Sequence, residues 1–291
     1  MLKNKKVFSI IIVVAICIFS LQLVVAWGQE EKRKMSADYY SLAKENLPVW
    51  DEQVLKAPAT KVWTDKTSVE AVANAVNDKV LEKIDKEKKT DTYQDKERKV
   101  KIDRYRGYIR YLNQNRQFRY GTSPTTPVDK QEAEEKIFKT VKIIGLPVDE
   151  LQKARVDTVV SEGGSIKAKK IDGKIYMERL VTIKRRINNL PVYGSMLRGS
   201  ISNKGEVARL LIKWPDFIPA KTKRLRVRDS VIEEIAKRID EQAKGQPVAV
   251  NMKLGHIPSH IKERIEYTPG IIVTVLPSQS TGFIFTVPIV E

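Results

Sequence analysis

The sequence predicts an α+β protein in which helices pack on curled antiparallel β-sheet modules, preceded by one N-terminal transmembrane helix. Apolar residues recur at helical spacing in three separate stretches, and segments rich in β-branched and aromatic residues follow each of them. One long, uncharged apolar run stands near the N-terminus. Because a small sheet cannot bury its own apolar face, we expect one helix on the sheet of each module.

The apolar run covers residues 7–26, VFSIIIVVAICIFSLQLVVA, and contains no charged residue. At about 1.5 Å rise per residue, a helix of this length spans the hydrocarbon core of a bilayer. Three lysines precede it, which predicts a cytoplasmic basic segment at residues 1–6 and an extracytoplasmic remainder. We expect a single-pass cell-membrane protein; the alternative is a signal peptide, with secretion after cleavage near Ala26.

The chain after this run divides into a stalk and three modules. Residues 27–66 are polar and contain prolines, which predicts a stalk with a short helix near Asp38 to Glu45. The first module covers residues 67–121 and begins with a capping box, Thr67 and Glu70. The apolar stripe of its helix consists of Val69, Val72, Ala73, Val76, Val80 and Ile84.

The order of helix and strands occurs twice more, in a middle module at residues 128–219 and a C-terminal module at residues 220–291. Asp129 is the predicted N-cap of the middle helix, and Gly145 fits its C-terminal stop. Residues 229–230 begin the helix of the C-terminal module.

A short motif marks the middle module. It consists of Asn189, Leu190, Pro191, Val192, Tyr193 and Gly194, and the turn glycine Gly205 follows in the next hairpin. Pro191 would bend a strand, Gly194 would let the chain re-enter the sheet closely, and Gly205 accepts the positive φ of a turn. This pattern resembles the PepSY and FTP domains, the propeptide modules of thermolysin-like metalloproteases. The resemblance implies a PepSY-like, cystatin-like sheet curled around one helix over residues 129–217, and a binding or inhibitory role without catalysis.

The net charge of +17 predicts anionic partners, because a strongly basic surface attracts them. Since export places the chain away from nucleic acid, we exclude nucleic acid and expect the membrane and an envelope protein as partners. Anionic wall polymers and lipid head groups are the alternative. Cys17, the only cysteine, lies in the apolar run, so no disulfide or thiolate site is expected in the rest of the chain.

A stretch of alternating tyrosine and arginine in the first module is the candidate partner contact. Its residues are Arg104, Tyr105, Arg106, Tyr108, Arg110 and Tyr111. Tyrosine and arginine are typical anchors of protein interfaces. The alternative is a strand pair that directs tyrosines inward and arginines outward.

The catalytic motifs are weak. His256 and His260 have a spacing that suits zinc on a helix, but Ile257 stands where a metalloprotease has its general base, and Pro258 disfavours the helix. Ser41-Leu42-Ala43-Lys44 has a Ser-x-x-Lys spacing that stands alone. The sequence therefore predicts no catalytic residue, no metal and no cofactor.

The predicted function is that of a non-catalytic, membrane-anchored extracytoplasmic binding or regulatory protein, which docks an envelope protein such as a protease or a sensor. One alternative is a basic structural protein of the cell envelope that binds wall polyanions or anionic lipids. The others are an accessory regulator of a membrane sensor kinase and a secreted hydrolase with an unrecognised site.

Overall fold

The computed structural model describes residues 36–50, 58–60, 68–86, 90–103, 106–165, 170–187, 189–215, 217–219, 224–261 and 264–291. Within these ranges the helices are α1 (Tyr39–Asn46), α2 (Val69–Ala75), α3 (Lys130–Ile144) and α4 (Arg228–Ala243). The first strands are β1 (Pro58–Thr60), β2 (Lys83–Lys86), β3 (Thr90–Gln94), β4 (Arg98–Asp103), β5 (Tyr108–Asn113), β6 (Arg155–Ser165) and β7 (Lys170–Ile187). The remaining strands are β8 (Leu190–Ser202), β9 (Val207–Lys213), β10 (Phe217–Pro219), β11 (Val248–Ile261), β12 (Arg264–Pro277) and β13 (Phe283–Pro288).

Eleven of these strands form one mixed sheet. Its main path runs β13-β12-β11-β8-β9-β5-β4-β3-β2, and the β6–β7 hairpin joins it because β7 also pairs with β8. Neighbouring strands are antiparallel, except that β8 meets β11 in parallel through the pair Val192 and His256. Strands β1 and β10 form a separate two-stranded ribbon.

The predicted fold class is wrong, because the strands of the three predicted modules do not form separate curled sheets. Strand β5 of the first module pairs with β9 of the middle module, and β8 of the middle module pairs with β11 of the last. The physical reason is that each small sheet would expose unpaired backbone groups at its edges, and joining the sheets pairs them. Sequence patterns predict which face of a strand is buried, but they do not specify its neighbour.

The prediction of a membrane span is also corrected. No helix in the described part of the chain is long and apolar enough to cross a bilayer. Even α4, with 16 residues, is shorter than the roughly 20 apolar residues of a span and carries many charges. The predicted span at residues 7–26 lies outside the described ranges.

The predictions of a transmembrane helix, a signal anchor, a single-pass membrane localisation and the membrane as partner are therefore unsupported. The expectation of an envelope protein or wall polymer as partner depended on that span and is withdrawn with it. The exclusion of nucleic acid depended on export and is withdrawn as well.

Two apolar cores lie on the sheet. Helices α2 and α3 pack on the part that contains β4, β5, β7, β8 and β9, with Ile137 and Val141 of α3 fully buried. Helices α1 and α4 pack on β11, β12 and β13, with Ile235 and Ile239 of α4 fully buried. Helix α1 lies in the segment predicted as a stalk, and its Leu42 belongs to this second core.

The predicted ends of α3 are confirmed, whereas α2 is shorter than predicted. Asp129 accepts a hydrogen bond from the Gln131 backbone N–H at 2.7 Å, and Gly145 ends the helix at a φ of 85°. The N-cap of α2 is Ser68 instead of Thr67, and the helix ends before Asn77, which has a φ of 52°. The predicted stripe fails beyond that point because the chain turns away towards β2.

Candidate functional site: a basic face of the sheet

The face of the sheet opposite α2 and α3 is the strongest candidate for a functional site. Side chains alternate between the two faces of a strand. In β5, Ile109 and Tyr111 point towards the helices and are buried. Tyr108, Arg110 and Leu112 therefore lie on the opposite face, where the described part of the chain places no helix.

The strand register arranges this face in three rows that cross β7, β8, β9, β5, β4 and β3 in that order. The central row is Thr182, Arg198, Leu211, Arg110, Lys101 and Thr92. The row on one side is Lys184, Met196, Lys213, Tyr108, Asp103 and Thr90. The row on the other side is Leu180, Ser200, Arg209, Leu112, Lys99 and Gln94. We call these three rows the basic face.

Cations dominate the basic face. Its basic residues are Lys99, Lys101, Arg110, Lys184, Arg198, Arg209 and Lys213, whereas its one acidic residue is Asp103. Neighbouring strands lie about 4.8 Å apart, so the basic residues from β7 to β4 fit within about 20 Å. Lys101 and Arg110 stand directly opposite each other on β4 and β5. Like charges in that position destabilise an isolated sheet.

Two arginines of the basic face show how crowded the positive charge is. Arg209 forms an ion pair with the buried carboxylate of Glu178, which also accepts a hydrogen bond from Ser200. Partial burial, and then repulsion from Arg110, lowers the pKa of Arg209. Arg198 holds its Nε atom buried with no hydrogen-bond partner among the described residues. An anion over this face would offset the repulsion between Arg110 and Arg209.

Apolar side chains separate the cations. Leu112, Leu180, Met196 and Leu211 are half-buried, as is the aromatic ring of Tyr108. Their exposed portions lie between the basic residues, because all of them belong to the same three rows. The basic face therefore combines charge with apolar contact area.

The structure divides the predicted partner contact. Tyr108 and Arg110 belong to the basic face. Arg106 is exposed in the turn before β5, where its backbone N–H donates to Asp103 Oδ1 at 3.0 Å. Tyr111 points to the opposite, buried face. Arg104 and Tyr105 fall outside the described residues.

Tyr111 belongs to a structural network around Asp78. The Asp78 carboxylate accepts hydrogen bonds from Tyr111 Oη at 2.7 Å, Asn113 Nδ2 at 3.0 Å and Arg98 Nη1 at 2.7 Å. Burial on its own would raise the pKa of Asp78, but these hydrogen bonds outweigh it and lower the pKa. Burial and the hydrogen bond to Asp78 raise the pKa of Tyr111.

The motif at residues 189–194 joins the two halves of the sheet. Val192 forms the pair with His256, and Gly194, at a φ of 78°, bends β8 so that its later residues pair with β9. A Cβ atom on Gly255 would lie 2.8 Å from the Pro191 carbonyl oxygen, so the backbones approach closely here.

The other members of the motif complete the connection. Leu190 pairs with Ile187 at the start of the β7–β8 hairpin, and Asn189 has a φ of 63° in its turn. Tyr193 is partly exposed. Gly205, at a φ of 76°, forms the predicted turn between β8 and β9. These roles are structural and do not themselves identify a ligand site.

His256 is fully buried at this junction. Its Nε2 atom lies 3.4 Å from the Ile187 carbonyl oxygen, and burial lowers its pKa. The side chain of His260 falls outside the described residues. Among the described residues, no three His, Cys, Asp or Glu side chains are placed to hold a metal ion.

Ser41 and Lys44 are exposed on α1. The Ser41 backbone N–H donates to Asp38 Oδ1 at 3.0 Å and so caps the helix. This contact involves only the backbone of Ser41 and assigns no role to the side chains of Ser41 and Lys44.

Sequence reasoning missed most of the basic face. The signal was present in the segments RKVKID and VARLLIK, where cations alternate with residues that are buried. This signal does not predict a shared face, because β4, β5, β8 and β9 become neighbours only through the strand order of the folded sheet.

No family model matches this chain, and no curated protein sequence matches it. The chemistry of the basic face is therefore the main indication of function.

Proposed function

We propose that this protein is a non-catalytic binding protein whose basic face docks an acidic surface of another protein. The observation that carries the proposal is the direct opposition of Lys101 and Arg110 within a field of cations. This arrangement costs free energy in the free protein, and an acidic partner would offset the cost.

The composition of the basic face favours a protein partner. Arginine, tyrosine and methionine are enriched at protein interfaces, and the half-buried leucines add apolar area between the charges. Single-stranded nucleic acid is usually bound on several exposed aromatic rings. The three rows contain one aromatic residue, Tyr108.

The resemblance of the motif at residues 189–194 to PepSY and FTP domains implies binding without catalysis, but the separate curled sheet that it also implies is not formed. The resemblance itself stays a prediction. It adds no binding residue, because the motif occupies the junction between the two halves of the sheet.

Site-specific photocrosslinking in cells tests the proposal. A photoreactive amino acid replaces Leu211, at the centre of the basic face, or Ile143, which is exposed on α3 and serves as the matched control. We expect a protein adduct at position 211 that is absent at position 143. The double substitution R110E/R198E removes this adduct, whereas K130E/K237E, which reverses two exposed cations on helices, preserves it.

Equal adducts at both positions, or an adduct that survives R110E/R198E, would contradict the proposal. A nucleic acid as the species caught at position 211 would also contradict it. Circular dichroism of each variant shows that the loss of an adduct does not come from unfolding.

A further inference from the structure

Three arginines lie close together at the centre of the basic face. Arg110 on β5 and Arg198 on β8 each stand directly opposite Leu211, on either side of β9. Arg209 lies two residues before Leu211 on β9 and is the diagonal neighbour of both. Diagonal neighbours in an antiparallel pair are about 7–8 Å apart, and strands two places apart are separated by about 9.6 Å. We call Arg110, Arg198 and Arg209 the arginine triangle.

The arginine triangle is only partly neutralised within the protein. The buried carboxylate of Glu178 forms an ion pair with Arg209. Arg110 and Arg198 form no ion pair with another described residue. Three positive charges and one negative charge therefore leave a net charge of +2. Burial lowers the pKa of Arg209, and repulsion from Arg110 lowers it further, which agrees with their closeness in the register.

Apolar side chains surround the arginine triangle. Leu211 lies between Arg110 and Arg198, and Leu112 lies directly opposite Arg209. Both leucines are half-buried, so each also presents part of its side chain at the surface. Electrostatic attraction is stronger where apolar groups exclude water. An anion held over the arginine triangle is therefore bound more strongly than one at a fully hydrated surface.

A phosphate monoester matches this arrangement in charge and in acceptors. It carries a charge of about −1.5 to −2 at neutral pH and has three strong acceptor oxygens. Guanidinium groups bind phosphate oxygens through paired N–H donors, so one phosphate can join more than one arginine. A carboxylate carries one negative charge and two oxygens, and would leave part of the net charge of +2 unbalanced. The phosphodiesters of nucleic acids likewise carry one negative charge each.

We propose that the acidic group at the centre of the docked surface is a phosphorylated side chain of the partner protein, bound by the arginine triangle. The proposal rests on the docking function proposed above and names the chemistry that the basic face recognises. Arg110 and Arg198 donate to the phosphate oxygens from either side of Leu211. Arg209 contributes its charge from the third corner and keeps its ion pair with Glu178. Docking then depends on phosphorylation of the partner.

Binding of a synthetic peptide tests the arginine triangle directly. The probe is a short peptide with one phosphoserine between two leucines, and its matched forms have glutamate or unmodified serine at that position. Fluorescence anisotropy with the full chain at low salt measures the affinities. We expect the phosphopeptide to bind at least about tenfold more tightly than the glutamate form, because it offers more charge and a third acceptor oxygen. The serine form should bind more weakly still.

Two double substitutions separate the geometry of the donors from the charge. R110K/R198K keeps both positive charges but removes the paired N–H donors, and should weaken binding of the phosphopeptide at least about tenfold. K130E/K237E, on exposed positions of two helices, should leave it unchanged. Arg209 is kept, because its loss would leave the buried Glu178 without its ion pair. Circular dichroism checks that each variant is folded.

A phosphopeptide that binds no more tightly than the glutamate form would overturn the proposal. Equal binding of the phosphopeptide by wild type and R110K/R198K would overturn it as well, because the paired donors would then have no role.

Phosphatase treatment distinguishes failure of this proposal from failure of the docking function. A cell lysate is incubated with an active or a heat-inactivated protein phosphatase before photocrosslinking at position 211. We expect the adduct to be lost with the active enzyme and kept with the inactivated one. An adduct that survives the active enzyme leaves the docking function in place and overturns the phosphorylated partner. The absence of any adduct contradicts the docking function itself, and this proposal falls with it.

Discussion

Asp78 shows, at the scale of the residue, how a structural role can look like a binding motif. Its carboxylate gathers Arg98, Tyr111 and Asn113 and so fixes the end of α2 on the sheet. Tyr111 is therefore committed to the interior, although its sequence neighbour Arg110 lies on the basic face. The alternation of tyrosine and arginine in the sequence thus serves two different purposes on two faces of one strand.

The substitution Asp78→Asn should lower the free energy of unfolding by about 2–3 kcal/mol at neutral pH, because it leaves buried donors without their charged acceptor. Urea unfolding measures this change. The exposed Asp149 supplies the matched control, since Asp149→Asn should change stability by less than about 0.5 kcal/mol.

The difference in free energy of unfolding between wild type and Asp78→Asn should depend on pH, because the pKa of Asp78 is lowered. A carboxyl whose pKa is lower in the folded than in the unfolded state stabilises the fold above the unfolded value, here 3.8. That contribution is lost as the pH falls through the folded pKa. The difference between wild type and Asp78→Asn should therefore shrink below pH 3.8, and a difference that stays constant would contradict the assigned role.

Strand β8 is the central element of the fold. It borders β7, β9 and β11, and it carries the contact with α3 at Gly199. A Cβ atom on Gly199 would overlap Ile137 Cδ1 and lie 2.9 Å from Ile137 Cγ1, and Ile137 is fully buried. The glycine is required because the helix lies directly on the strand.

Gly199→Ala should therefore destabilise the protein by about 1–3 kcal/mol, the usual cost of overpacking a core. Ile137→Val removes the atom that clashes. In a double-mutant cycle measured by urea unfolding, we expect the combined substitution to cost less than the sum of the two single ones. Additive costs would show that α3 does not rest on β8 at this point.

The elements differ in how well the sequence predicts them. Helix α3 was predictable because Asp129 and Gly145 are local signals at its two ends. The turn at Gly205 was predictable for the same reason. Helix α2 was not, because its apolar spacing continues to Ile84 while the chain itself turns at Asn77. Local signals predict where an element starts and stops. They do not predict the network around Asp78, because its members are far apart in the chain.

At the scale of the whole molecule, the sequence did not predict the order of the strands in the sheet. The alternation along each strand shows that Lys101, Arg110 and Arg209 lie on the face away from their buried sequence neighbours. It does not show that their strands are adjacent in the sheet. That adjacency depends on β5 and β9, which are almost a hundred residues apart in the chain, forming a ladder of five pairs. The candidate site is a product of this long-range pairing and could not be assembled from local motifs.

The most direct test of the docking proposal is the binding of the partner caught at position 211, measured against ionic strength. We predict that R110E/R198E weakens binding at least tenfold at low salt, that K130E/K237E binds like wild type, and that added salt weakens wild-type binding only moderately. A polyanion with 6–10 phosphate contacts would instead lose about 10³–10⁵ in affinity between 50 and 200 mM salt. Binding that is unchanged by R110E/R198E would contradict the central role of the basic face.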